Sequence, residues 1–275
     1  LGKVPTDRQS LKGAMDTTSN PVPTAQSGPN LLADASWFDS NWMWLSTAFF
    51  PISVVLVCTY FRGSIRQKLE NPYVLGWLSV PAYLVHQTEE HAYDLRGWHY
   101  AFVPYFNHGP ATVLFPECPQ HLSCPIDVPL ATAINVSTVW AGFVVTMVCA
   151  HYLGPSFAHS GHFNWGMAVV NAISGHLLPW ALAGYNPGAF QSVFMFLFGG
   201  WVITRGGPKF AAACMLNGVL FHVLCFVLCL KLLKVIDMPS VWMNVPCFVM
   251  SSAAPLLFAR FGPAPSKDPS LDGFS

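Results

Sequence analysis

An all-α polytopic membrane bundle of about seven transmembrane helices, six at the lower count, is the fold class that the sequence predicts. Three observations lead there. The 275 residues are 53% hydrophobic and only 9% charged, with a mean hydropathy of +0.42, whereas a soluble domain carries about 25% charged residues. Apolar runs recur at bilayer length, roughly 17 to 25 residues each. Polar, Pro- and Ser-rich segments occur at both ends. The formal net charge is zero, which argues against nucleic acid as a partner.

Residues 1–36 are polar and rich in Pro, Ser, Thr and Gly, the composition of a disordered tail. They lack the apolar core of a signal peptide, and a start at Leu1 fits a processed or truncated chain. The membrane domain is expected over 37–261, with spans near 37–61, 72–95, 128–153, 163–184, 188–204, 209–233 and 239–259, and a C-terminal tail over 262–275. The 188–204 span is the shortest. Trp37, Trp42, Trp44 and Trp98 fall near span ends, as interfacial anchors do. Basic residues follow the first span (Arg62, Arg66, Lys68), the fifth (Arg205, Lys209) and the seventh (Arg260, Lys267). With seven spans these lie on one side, cytosolic or stromal by the positive-inside rule. The N-terminal tail and the loop 96–127 then lie on the lumenal or outer side. That loop holds Cys118 and Cys124 in PECPQHLSCP, close enough for a small disulfide loop in an oxidising lumen, or equally two free thiols. The six other cysteines sit in apolar runs as packing residues.

The second span breaks this apolar pattern with LVHQTEEHAYDLRGWHY, residues 84–100. Helical spacing puts His86, Glu89, Glu90 and Tyr93 in one patch, with His91 and Asp94 displaced toward Glu90. Ionised carboxylates inside a bilayer cost several kcal/mol each unless paired, protonated or bound to a cation. His176 in NAISGHLLPW and His222 in NGVLFHVLCF occur at similar depth in spans that run parallel to the second, each with an Asn five residues earlier, Asn171 and Asn217. Neutral imidazole and carboxylate together suit zinc, iron or manganese. His86, Glu89, Glu90, His176 and His222 are therefore the expected ligands, with His86, Glu89 and Glu90 also the expected catalytic groups. Without metal the same groups could perform acid/base work. His159 and His162, in AHSGHFN, are read as loop residues, and His99, His108 and His121 as the rim of an entrance.

The segment HQTEEHAYDLRGWHYAFVPYFN resembles the signature of the HXXEE-domain family of multi-pass membrane proteins, with His86, Glu89 and Glu90 as the named motif and Asn107 in the place of a following Asn. The later NAISGHLLPWALAGYNPGAFQSVFMFLFG is similar to that family's Asn-then-His helix leading to a Tyr-x-Pro-Gly turn, here Tyr185 to Gly188. The likeness spans roughly residues 75 to 235. It departs at His91, where bacterial members often carry an aromatic residue, and near Asp94 to Gly97, where they carry Pro-Gly-Gly. The resemblance implies a shared site and names no reaction. Glutamate-dependent intramembrane proteases place an Arg where this chain has Asp94, and the His boxes of membrane di-iron desaturases are missing.

The functional expectation is a membrane-embedded enzyme acting on a lipid or other hydrophobic small molecule by metal-assisted hydrolysis or oxidation. Asn171, Asn217, His91, Asp94, Asn107 and Tyr185 would orient substrate or support the centre. A metal-free isomerase or cyclase, a proton-coupled transporter and a structural subunit of a membrane complex are the alternatives.

Overall fold

The computed structural model describes residues 31–33, 35–116, 118 and 124–266. Among these the chain is helical, and its one β-type pairing is the isolated Tyr93–His99 bridge. In chain order the main helices are α1 (Trp37–Tyr60), α2 (Pro72–Trp77, then Ser79–Gln87, then Thr88–Ala92), α3 (Val128–Leu153), α4 (Pro155–Ala183), α5 (Ala189–Thr204), α6 (Pro208–Val235) and α7 (Ser240–Phe261). Of these α1, α3, α4, α6 and α7 are long and apolar enough to cross a membrane. The other two expected spans fall short for different reasons. Helix α5 has 16 residues, and α2 is segmented and carries His86, Gln87, Glu89, Glu90 and His91. Most of the expected 1–36 tail, and of the C-terminal tail from Lys267, lies outside the described residues.

Three further expectations are corrected. Helix α2 ends at Ala92, and Tyr93 adopts an extended conformation with its side chain exposed beside Trp44 and His99, so it leaves the His86 patch. The fourth span begins at Pro155, not near 163, because Gly154 alone turns the chain out of α3 in the left-handed region, φ 94°. His162 thereby lies on α4, buried. Trp42 is no interfacial anchor: it is fully buried against the His91 ring and donates from Nε1 to the Tyr100 hydroxyl.

Helix α4 is the central element. Every residue from Ser160 to Val170 is buried, the polar Ser160, His162 and Asn164 included. Small residues let backbones meet there, since a Cβ on Gly161 would come within 2.2 Å of the Gly76 Cα in α2. Side-chain hydrogen bonds then lock the helices. Trp165 Nε1 donates to the Leu75 carbonyl at 2.7 Å, and Asn217 Nδ2 to the Phe163 carbonyl at 3.1 Å. Thr146 of α3 donates to the Ser251 carbonyl of α7, and Ser46 of α1 to Gln87 Oε1 of α2.

The segment between α2 and α3 folds over one end of the bundle. Asp94 accepts from the backbone of Arg96 and Trp98, and from the Arg96 guanidinium. Asn107 clamps Ile126, donating to its carbonyl at 2.7 Å and accepting from its amide. Cys118 and Cys124 form a disulfide, which resolves the two readings left open by their spacing. His121 lies outside the described residues.

The close approach of α2 and α4 has a measurable consequence. Gly161→Ala should cost about 1–3 kcal/mol, the usual range for overpacking, seen as a lower unfolding midpoint in detergent. Gly200→Ala, inside α5 with no neighbour within 4 Å, should leave the midpoint unchanged or raise it slightly, since alanine favours a helix over glycine by about 0.5–1 kcal/mol.

Candidate metal centre

Near the capped end, α2, α4 and the start of α5 bring together residues far apart in sequence. His86 on α2 and His176 on α4 are fully buried, and Glu90 is nearly so. Glu90 Oε1 lies 3.1 Å from His176 Nε2 and 3.4 Å from His86 Nε2. The three side chains form a group able to hold a metal ion, with one donor atom from each lying within 4.8 Å of the others. Ligands bound to tetrahedral zinc at about 2.0–2.2 Å stand roughly 3.3 Å apart. The two contacts to Glu90 already match that separation.

The protonation of His176 is fixed by its neighbour. Asn186 Nδ2 donates to the His176 carbonyl at 2.9 Å, which turns its amide oxygen onto His176 Nδ1 at 2.9 Å. An amide oxygen only accepts, so Nδ1 carries a proton and Nε2 is left to face Glu90. That nitrogen lies 3.1 Å from Glu90 Oε1, where a metal ion or a second proton would complete it. A metal-binding histidine is commonly oriented in this way, by donating its other N–H to a fixed oxygen. At His86, Asn171 Nδ2 lies 3.2 Å from Nε2.

Glu89 serves a separate purpose. Its Oε1 accepts from the Tyr185 hydroxyl at 2.8 Å and the Phe190 amide at 3.1 Å, and its Oε2 from the Gln191 amide at 2.8 Å. These amides begin α5, where unsatisfied N–H groups and the helix dipole favour an anion. Its charge is compensated there, and Glu89 stands outside the group that could hold a metal.

On the other side of Glu90, Oε2 lies 3.6 Å from His91 Nε2. Asn135 Nδ2 is 3.3 Å from that nitrogen, and Gln87 donates to Asn135 Oδ1 at 3.1 Å. Gln87 in turn accepts from Ser46, which accepts from Trp140 Nε1. Glu90 is thus the inner end of a buried polar chain through α2, α3 and α1.

Several expected site residues lie elsewhere. His222 is turned onto its own helix, Nδ1 to the Gly218 carbonyl at 2.7 Å, and stacks on Phe226. Asn217 holds α4, Asn107 holds Ile126, and Asp94 holds its own turn. Tyr185 reaches the region through Glu89 and also accepts from the Leu95 amide. Three positions that sequence reasoning passed over prove central: Asn186, Asn135 and Gly188. Asn186 and Gly188 stood inside the Tyr-x-Pro-Gly turn, and Asn135 is a lone amide in an apolar span, the same signal that marked Asn171 and Asn217. Gly188 has φ 88°, and a Cβ there would lie 2.7–2.8 Å from His176, Glu90 and His86. Only glycine fits.

Glu89, Glu90, His91 and His176 sit on widened turns, whereas His86 lies at the end of the α-helical segment just before. Thr88–Ala92 and Ala172–Leu177 are π-helical, as are Val136–Phe143 next to Asn135 and His222–Cys229. Such turns are frequent at functional sites. No protein-family model, curated protein or solved structure matches this chain.

The division between the two glutamates is open to direct measurement. Glu89→Gln removes the charge from the α5 N-terminus and replaces one acceptor oxygen by a donor facing an amide. It should lower the unfolding midpoint by several degrees, corresponding to about 1–3 kcal/mol. Tyr185→Phe, which removes one donor of three, should cost about 1 kcal/mol.

Proposed function

We propose that this chain is a membrane-embedded metalloenzyme acting on a lipophilic substrate, with His86, Glu90 and His176 holding a divalent transition metal, zinc, iron or manganese. One observation carries the reading. His86, Glu90 and His176 bring one donor atom each to within 4.8 Å of one another in a buried site, with His176 Nε2 3.1 Å from a carboxylate oxygen. A nitrogen and an oxygen at that distance need a cation or a proton between them. The His/carboxylate donor set suits a borderline cation.

A metal held there would supply Lewis acidity or an activated water for hydrolysis, or a redox centre for oxidation. The chain's own groups have separate tasks. Asn186 and the His176 carbonyl fix the imidazole tautomer. His91, backed by Asn135, stands beside the second Glu90 oxygen and can hold a proton near the reacting atoms. The Asn171 amide, beside His86, can hold a polar group of the substrate. Tyr83 and Phe102, whose rings lie 5.4 Å from His86 and 6.2 Å from His176, supply the apolar wall suited to a lipid or other hydrophobic small molecule. In this reading α2 and α5 are the two additional crossings of a seven-span domain. The basic ends of α1, α5 and α7 then face the cytosol or stroma, and the disulfide-bearing cap faces the lumen or exterior. The HXXEE resemblance fits the same reading, the His and second Glu of the motif serving as ligands.

A second reading replaces the metal by a shared proton, giving a metal-free isomerase or cyclase, or a proton-coupled carrier. The polar chain from Glu90 to Ser46 favours it. Elemental mass spectrometry on detergent-purified protein separates the two. Wild type and Glu89→Gln should each retain about one zinc, iron or manganese per chain, as expected for one site with a borderline donor set, and His86→Ala, His176→Ala and Glu90→Gln should lose it. Folded wild type that stays metal-free after incubation with all three ions would overturn the metal reading and leave the proton.

A further inference from the structure

We infer that the end of the bundle remote from the metal centre binds an anionic phospholipid, in a groove between the short helix Ile65–Glu70 and the last turn of α5. The groove is shallow and open, has a volume of ≈ 460 Å³ and is lined by Ile65, Arg66, Leu69, Glu70, Trp201 and Arg205. Its chemistry is divided in the way a phospholipid is. Ile65, Leu69 and Trp201 form an apolar wall, with Ile65 77% and Trp201 40% exposed. Arg66 and Arg205 stand at its polar edge.

The two guanidinium groups differ in setting, Arg205 being part-buried and anchored and Arg66 exposed in a surface pair. Arg205 donates to the Leu69 carbonyl and lies 5.0 Å over the Trp201 ring. Arg66 donates from Nε to Glu70 at 2.9 Å while its side chain stays 86% exposed. Arginine in this setting matches a phosphate through its planar fork. The surroundings strengthen the preference for an anion. Arg62, Lys68, Lys209 and Arg260 occur at the same end, and Glu70 is the only acidic side chain there among the described residues. Lys68 is held by the Cys58 carbonyl.

A smaller adjoining cavity shares Glu70 and Arg205 and reaches His159 and His162. The Nδ1 atoms of both histidines are buried and make no hydrogen bond. That cavity, ≈ 30 Å³, has room for a water molecule and not for a headgroup, so the groove itself is the site. The short helix sits directly after a membrane-crossing helix, and tryptophan at such a level marks the interface between headgroups and acyl chains. Basic pockets of this kind, between helices at the membrane surface, select acidic lipids. The apolar wall commits the site to a lipid: a soluble anion would leave Ile65 and Trp201 uncovered.

Native mass spectrometry of the full chain, with phosphatidylglycerol and phosphatidylcholine in equal excess, tests this. Wild type should retain phosphatidylglycerol preferentially, and each of Arg66→Gln and Arg205→Gln should reduce that preference by about fivefold, the worth of one basic residue near an anionic surface. Arg205→Gln also removes a bond to Leu69, so Arg66→Gln is the variant whose fold is least at risk, and an unchanged melting midpoint verifies it. Equal retention of the two lipids by wild type would overturn the proposal. So would an undiminished preference in folded Arg66→Gln, or complete displacement of the lipid by inorganic phosphate. The metal content of these variants should equal that of wild type, which keeps this outcome separate from the fate of the metal centre.

Discussion

Two adjacent carboxylates buried in an apolar bundle impose the constraint on which the rest of the structure depends. Each must be compensated, and the means differ. Glu89 takes two backbone amides and a tyrosine hydroxyl, which requires a helix to begin at that point. Helix α5 therefore starts at Ala189, and the chain must arrive there from α4 by a tight turn. Gly184 and Gly188, both at positive φ, make that turn. Gly188 is then driven against His86, Glu90 and His176, and Asn186 within the same turn fixes the His176 tautomer. Compensating one glutamate thus assembles the surroundings of the other.

Glu90 has no backbone donor. Its partners are imidazoles from α2 and α4, held at fixed depth by the packing of those helices. The depth is set by the Gly76–Gly161 contact and by the bond from Trp165 to the Leu75 carbonyl, at the opposite end of the same helix pair. From there the two helices run side by side to the site, α2 with a break at Leu78 and α4 with a widened turn at Ala172–Leu177. Packing at one end of this helix pair thus bears on donor geometry at the other. The basic, groove-bearing end and the buried centre are two ends of one interface between helices.

Much of this was legible in the sequence. Composition alone implied a helical membrane domain, and five of the seven expected spans correspond to long apolar helices. The convergence of His86, Glu90 and His176 followed from depth arguments on parallel spans. Glu89 stands apart from the His86, Glu90 and His176 group because its compensation comes from backbone amides of α5, and backbone donors leave no trace in residue type. His222 occupied the right depth, yet depth does not fix azimuth, and its ring bonds its own helix instead. Asn217 illustrates the same limit: it shares the spacing of Asn171 but serves as glue to the Phe163 carbonyl. Trp42 read as an interfacial anchor because aromatic residues near a span end have that meaning only when no cap covers them. Here the Tyr93–Tyr100 segment covers it.

The order of the motif also becomes intelligible. Consecutive residues on an α-helix point roughly 100° apart, and a wider π-helical turn narrows that angle only modestly. Neighbouring glutamates therefore cannot both face one small site as a matched pair. One must point to a different element, and in this chain it points to the start of α5. A glutamate pair on a single helix is thus better suited to joining two structures than to forming a dicarboxylate centre. The histidine four residues before the second glutamate shares its face. The buried group is accordingly His86 with Glu90, completed across the interface by His176, while Glu89 holds the start of α5 behind the turn that closes over them.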